Sequence, residues 1–172
     1  FDIDAIGLTN MAHRLNGGLD LGGRAIGSPT AISIGVGVNP VHRDFHFEMK
    51  RFRYKVEAGA EWAITQPVFD ISALERFMEY IDKNNIKIPI VAGIWPLVSL
   101  RNAQFMNNEV PGVVIPPTIM KRMEKPMDAD DAKKVGVDIA HTMVEELRST
   151  VQGFQVSAPF GKIELALSVL NL

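Results

Sequence analysis

The 172-residue sequence contains no cysteine. That absence excludes a disulfide framework, a thiolate metal site and a cysteine nucleophile, and it is compatible with a reducing cytoplasm. Long hydrophobic runs are missing as well. The stretch Ile86 to Val98, interrupted by Lys87, falls short of the ~20 residues a membrane-spanning helix needs, and no signal-peptide pattern opens the chain. The expectation is a soluble, cytoplasmic protein without a membrane partner. Neither sign of charge is in excess: 18 lysines and arginines face 20 aspartates and glutamates, for a net charge of -2. With the two signs interspersed there is no basic field to hold a phosphate backbone, so no nucleic-acid partner is expected. Of the few histidines, His13, His46 and His141 lack any spaced carboxylate or histidine partner, and no metal is expected. What the sequence does have is 47% hydrophobic residues, the profile of one globular domain. Its opening, Phe1-Asp2-Ile3-Asp4, has no initiator methionine and no lead-in, and reads as a cut piece of something longer.

The patterning alternates helix and strand. Ile6, Met11 and Leu15 predict a helix over Asp4 to Leu15, stopped by Asn16-Gly17-Gly18, and the glycine-rich stretch Leu21 to Pro29 reads as loop or hairpin. Ala31 to Val38 alternates branched and small residues as a strand does. Phe45, Met49, Phe52 and Val56 form the apolar stripe of a helix over Arg43 to Ala58. Trp62 to Gln66 is a short strand closed by Pro67. Asp70 and a Ser72/Glu75 capping box then open a helix with Leu74, Phe77, Met78 and Ile81 inward, ending at Asn84-Asn85. Ile88 to Ile94 is the next strand, followed by a helix near Ser99 to Met106, an insertion over Val110 to Pro117, a short helix at Thr118 to Met123 and a long one over Asp128 to Leu147. Gln155 to Ala158 is the last strand. Ile163, Ala166, Leu167 and Leu170 mark a closing helix.

A helix followed by four strand-helix units gives an α/β fold with parallel strands and right-handed crossovers. Four units make about half of a (β/α)8 barrel of the usual ~250 residues, and this half-barrel is the favoured architecture. Each strand ends in polar or glycine/proline chemistry (Val38-Asn39-Pro40, Thr65-Gln66-Pro67, Gly93-Ile94-Trp95-Pro96, Ala158-Pro159-Phe160-Gly161), and in a barrel those ends converge on the active face. The alternative, a small flavodoxin-like sheet, wants a phosphate-binding loop after its first strand, for which Asn39-Pro40-Val41-His42 is poor.

Individual residues leave the chemistry open. Glu48, Arg51 and Lys55 share a stripe of one helix. They could grip ribityl hydroxyls and a diphosphate, or form a solvated salt-bridge face. His42, at a strand-to-helix corner, is either a cofactor contact or a loop histidine without a role. Gln66 ends a short apolar strand with an amide donor and a carbonyl acceptor, which suits a heterocycle edge and equally a satisfied core amide. Trp95 and Met106 suit an apolar slot or plain core.

The run Lys55-Val56-Glu57-Ala58-Gly59-Ala60-Glu61-Trp62-Ala63-Ile64-Thr65-Gln66-Pro67-Val68-Phe69-Asp70 resembles the signature of methylenetetrahydrofolate reductases: KVEAGA, two variable residues, a strand ending TQ, two more residues and FD. Gly35 to Pro40, Val91 to Pro96 and Val156 to Lys162 support the likeness. Asp4 to Leu8 with Leu15 to Gly18 resembles the bacterial form fused behind a homocysteine methyltransferase domain. The resemblance covers essentially the whole chain but only the back half of the reductase.

That resemblance implies a flavin-binding barrel serving one-carbon metabolism and methionine biosynthesis, in which NADH or NADPH reduces FAD and the flavin reduces 5,10-methylenetetrahydrofolate to 5-methyltetrahydrofolate. Carried over by position, His42, Glu48, Arg51 and Lys55 fall at FAD contacts. Gln66, Asn102, Met106 and Lys162 fall at folate-facing positions, Met106 and Asn102 also toward the nicotinamide. The family's general-acid glutamate lies upstream of Phe1, so no catalytic residue is expected here and the piece alone is expected to be inactive. Its strand edges are expected to need the missing N-terminal half of the barrel or another copy, as a homo-oligomer. Two rival readings are a non-catalytic α/β module, binding a nucleotide-like ligand or serving assembly, and a folate methyltransferase barrel without flavin. The Glu48/Arg51/Lys55 stripe speaks against the second.

Overall fold

The computed structural model describes residues 3–171; Phe1, Asp2 and Leu172, the first two part of the opening noted above, lie outside it. The elements run α1 (Ala5–Asn16), β1 (Gly35–Val38), α2 (Phe45–Glu57), β2 (Trp62–Pro67), α3 (Ile71–Lys83), β3 (Ile90–Ile94), α4 (Leu100–Glu109), α5 (Pro117–Met123), α6 (Ala129–Leu147), β4 (Gly153–Val156), a 3-10 turn (Pro159–Gly161) and α7 (Ile163–Val169). The strands form one parallel sheet in the order β1-β2-β3-β4. Each strand therefore lies beside its predecessor, with a helical crossover between, as the alternation requires.

Local chemistry sets most of the boundaries. Side chains of Asp4, Asp44, Asp70, Ser99 and Asp128 accept backbone N–H groups in the first turns of α1, α2, α3, α4 and α6, satisfying donors that have no helical partner. At α3 Asp70 opens the helix as expected, but the Ser72/Glu75 box does not cap it. Asp70 is the N-cap, and the Ser72 hydroxyl donates to Asp70 Oδ1 at 2.7 Å.

Three strands differ from the sequence expectation by two residues or more, β3 starting at Ile90 and not at Ile88. β1 starts at Gly35, because the segment before it is held elsewhere: the Asn16 side chain accepts from Ile32 N–H at 2.9 Å and donates to the Ile32 carbonyl at 2.8 Å. A local clamp holds Ile32, and backbone bonds to the neighbouring segment begin only at Ile34, whose carbonyl accepts from Glu61 N–H at 2.8 Å. β4 lies two residues earlier than expected, since Gly153 and Phe154 pair with Val91 and Ala92.

Side-chain alternation places the core. Val36, Val38, Ala63, Ile90, Ala92 and Ile94 are buried and pack with Met49, Phe52, Leu74, Phe77, Ile139 and Leu147 from the helices. The residues that alternate with them, Gly37, Ile64 and Val91, belong to neither core cluster. The core helices thus cover one face of the sheet, whereas a flavodoxin-like fold covers both. In α7 the expected apolar stripe points outward, with Ile163, Leu167 and Leu170 exposed. The helix instead docks on α6 by its opposite side, where Val169 is buried and its carbonyl lies 3.0 Å from His141 Nδ1.

Candidate functional site

Beyond the C-terminal ends of β2, β3 and β4 lies a cavity of about 820 Å³, and Gln66, Asn102 and Met106 all line it. Its volume falls in the range of small-molecule sites. Gln66 reaches it because β2 carries one more residue than β3 between the pairs Ile64↔Val91 and Pro67↔Gly93. Such a bulge re-aims the side chain at the strand end. The buried Thr65 hydroxyl fastens it, donating to the Gln66 carbonyl at 2.8 Å and accepting from Gly93 N–H at 3.0 Å. Gly93 has to be glycine here, since a Cβ would lie 2.7 Å from the Thr65 carbonyl oxygen. Among the described residues the Gln66 side chain has no hydrogen-bond partner, so both ends of its amide remain available.

The opposite wall comes from α4. Asn102 Oδ1 accepts from Val98 N–H at 3.3 Å, which leaves its amide N–H groups for a ligand, and Met106 is buried. Trp95 lines the same cavity and its indole N–H is buried without an acceptor among the described residues. An orphan donor of this kind costs ~1–3 kcal/mol until something accepts from it. Arg101, Phe105, Gln155, Ser157 and Phe160 are among the other lining residues. Sequence reasoning assigned none of these an individual role. Gln155 and Ser157 could have been found from their place at the end of the last strand, had that strand been set two residues earlier.

The residues assigned to FAD do not open on this cavity. Glu48 is buried and Oε1 accepts from Asn39 N–H at 2.9 Å, so its carboxylate holds the β1–α2 turn. Arg51 pairs with Asp4 at 3.2 Å. Lys55 donates to the Gly37 carbonyl at 2.7 Å and lines a separate apolar groove between α1 and the edge of β1. His42 lines a third, more polar pocket with Asn39, Arg43 and Asn107. Of the four, Lys55 best fits an anion, being half-buried with no carboxylate in salt-bridge contact among the described residues. Lys162 is exposed at the cap of the 3-10 turn and is not among the residues lining the cavity; its charge is felt by Asp130. The described residues hold no group of three or more histidines, aspartates or glutamates placed to bind a metal, and no helix is long and apolar enough to cross a membrane.

Burial pushes the Lys55 pKa below the ordinary lysine value, Glu48 opposing the shift and Arg51 adding to it. The unfolded chain therefore keeps this proton to higher pH than the folded one. Stability rises with pH through the window beneath 10.5, and below that window the full cost of the buried charge is present. Lys55→Met is expected to raise the melting temperature of the ligand-free protein at neutral pH and to remove that rise. A lower melting temperature would show that the bond to Gly37 outweighs the desolvation.

The family model described as methylenetetrahydrofolate reductase matches residues 32–158. The chain is 34% identical over 113 residues to the 5,10-methylenetetrahydrofolate reductase of Buchnera aphidicola subsp. Baizongia pistaciae, a match covering 65% of this chain and 38% of the relative. It is 31% identical over 119 residues to the enzyme of the same name from Escherichia coli, covering 68% and 40%. The chain thus spans about two-fifths of the length of these relatives. Among solved structures, an uncharacterized protein from Clostridium thermocellum that binds two copies of 5-methyl-5,6,7,8-tetrahydrofolic acid superimposes with a TM-score of 0.52 at 22% identity, over 78% of this chain and 51% of that one. At that identity the likeness is one of fold.

Proposed function

Since the chain belongs to the methylenetetrahydrofolate reductase family, we propose that it is the C-terminal half of a (β/α)8 barrel that reduces 5,10-methylenetetrahydrofolate to 5-methyltetrahydrofolate in the cytoplasm, with NADH or NADPH as reductant and FAD between them. The observation that carries this reading is the joining of Gln66 on β2 with Asn102 and Met106 on α4 around one cavity of about 820 Å³ at the strand ends. A sheet with its core helices on one face and Gly37, Ile64 and Val91 on the other suits half of a closed barrel, whose inner face meets the other half. β1 and β4 are the free edges of the sheet order. They would pair with the remaining half of the barrel or with a second copy.

The cavity recognises folate through the work of its own side chains. Gln66 offers a donor and an acceptor to the pterin edge, Asn102 offers N–H groups, and Met106 supplies an apolar floor. Arg101 is the one cation among the lining residues and gives the carboxylate-bearing tail of folate a counter-charge. Orientation of the bound ring is where such a site contributes to rate. FAD would supply the hydride chemistry when bound, and Lys55 with Arg51 would hold its anionic portion.

Titration of the full-chain protein with FAD and with 5-methyltetrahydrofolate tests this proposal. Flavin absorbance near one equivalent together with saturable folate binding is expected, and failure to bind folate would sink it. A second reading draws on the engagement of Glu48 in the β1–α2 turn and on Lys55 and His42 lining two separate pockets. It is a non-catalytic ligand-binding or assembly module derived from such a barrel. Saturable folate binding by protein that takes up no flavin would favour it.

A further inference from the structure

Phe160 lines the folate cavity and is 78% exposed. It also sits at φ 56, ψ 28, in the left-handed region. A bulky residue without a local side-chain hydrogen bond pays to stand there, and strain of this kind persists where surrounding structure enforces it. Here the enforcement is visible. Pro159 on one side is buried, Gly161 on the other has φ 73, and Gly161 N–H donates to the Ala158 carbonyl at 3.0 Å. The tight turn directly after β4 therefore holds an aromatic ring out at the cavity, with little of its area covered by the protein. Leaving that ring in water forgoes the burial that would repay an aromatic side chain. Turn chemistry does not explain the residue, because glycine or asparagine would occupy the same backbone without the strain.

We propose that Phe160 is a specificity-determining residue that stacks on the aminobenzoyl ring of a bound folate. This rests on the folate reading of the cavity. The assignment to that ring, and not to the pterin, follows from position. Met106, 4% exposed, and half-buried Asn102 form the inner wall that serves the pterin, whereas Phe160 and exposed Arg101 stand at the mouth. The ring that joins pterin to tail passes between those levels.

The strain makes the idea separable from a structural role. Phe160→Gly in the full chain is expected to leave the melting temperature unchanged or raised, since it relieves the left-handed residue, while weakening 5-methyltetrahydrofolate binding about tenfold by loss of the stack. Binding of 6-methyltetrahydropterin, which lacks the aminobenzoyl ring, is expected to stay at the wild-type level. Phe160→Tyr is expected to restore folate affinity. A fall in melting temperature for the glycine variant would make Phe160 structural and overturn the proposal. Unchanged folate affinity, or an equal loss for both ligands, would also overturn it. If the wild-type protein bound neither ligand, the folate reading itself would fail. Wild-type binding of both with an indifferent Phe160→Gly would leave that reading intact and remove only the proposal.

Discussion

Gly136→Ala is expected to destabilise the protein by more than about 3 kcal/mol, although helix propensity alone favours alanine by ~1 kcal/mol. Gly136 lies within α6 on its buried face, and a Cβ there would fall inside the Leu97 carbonyl group. The obstacle is backbone, so no rotamer change relieves it. Neither partner is free to retreat. Pro96 and Leu97 are almost wholly buried where the chain leaves β3, and α6 is fixed by Ile139, Ala140, Met143, Val144 and Leu147. Moving the helix outward would open the cluster that also contains Ala103 and Met106, so folate binding should fall with stability. Against a total of ~5–15 kcal/mol for a typical domain, such a loss is large. Gly153→Ala is the control, because its Cβ would meet only the Val91 side chain, 4.0 Å away. Chemical denaturation of both variants decides the matter. If Gly136→Ala proves neutral or stabilising, α6 does not press on the β3–α4 connection as closely as described.

Gly136 also shows where sequence reading ended. The pattern of Asp128 to Leu147 announced a long helix, and side-chain chemistry announced most starts and stops, because periodicity and capping are local properties. A glycine inside that helix carried no local sign of its partner, since Leu97 is brought to it only by the tertiary fold. The same limit applies at the strands. Alternation over Ala31 to Val38 is real, but whether Ile32 joins a ladder depends on competition from Asn16, which reaches over from α1. The spacing of α7 announced a helix but not its orientation, since apolar spacing says which residues share a face and not which face is covered. Within the site, Gln66 lay inside the family signature while Asn102 and Met106 were carried over by position, and all three line one cavity. Phe160 and Arg101 were not assigned a role in advance. A left-handed phenylalanine is visible only in the backbone, and a lone arginine on a short amphipathic helix reads as surface until the cavity beneath it is seen.

Gln66→Leu is expected to weaken folate binding by roughly 10–100-fold, the equivalent of leaving a ligand's polar edge without a partner at ~1–3 kcal/mol. Stability should stay within about 0.5 kcal/mol of the parent, because the residue is exposed and its amide is tied to nothing in the described structure. The shape is nearly conserved, so the loss reports hydrogen bonding and not volume. Thr65→Val provides the opposite signature. It removes the hydroxyl that bridges the Gln66 carbonyl and Gly93 N–H across the bulge, leaving a buried donor unsatisfied, so both stability and folate affinity should fall. If Gln66 acts by contact and Thr65 by position, combining the two substitutions should cost no more affinity than the larger single loss, since a displaced glutamine has little left to forfeit. Additive losses would mean that the two side chains act independently and that the bulge does not serve to aim Gln66 at the ligand. Unchanged folate affinity in Gln66→Leu would be more damaging, for it would detach the strand-end amide from the pterin altogether.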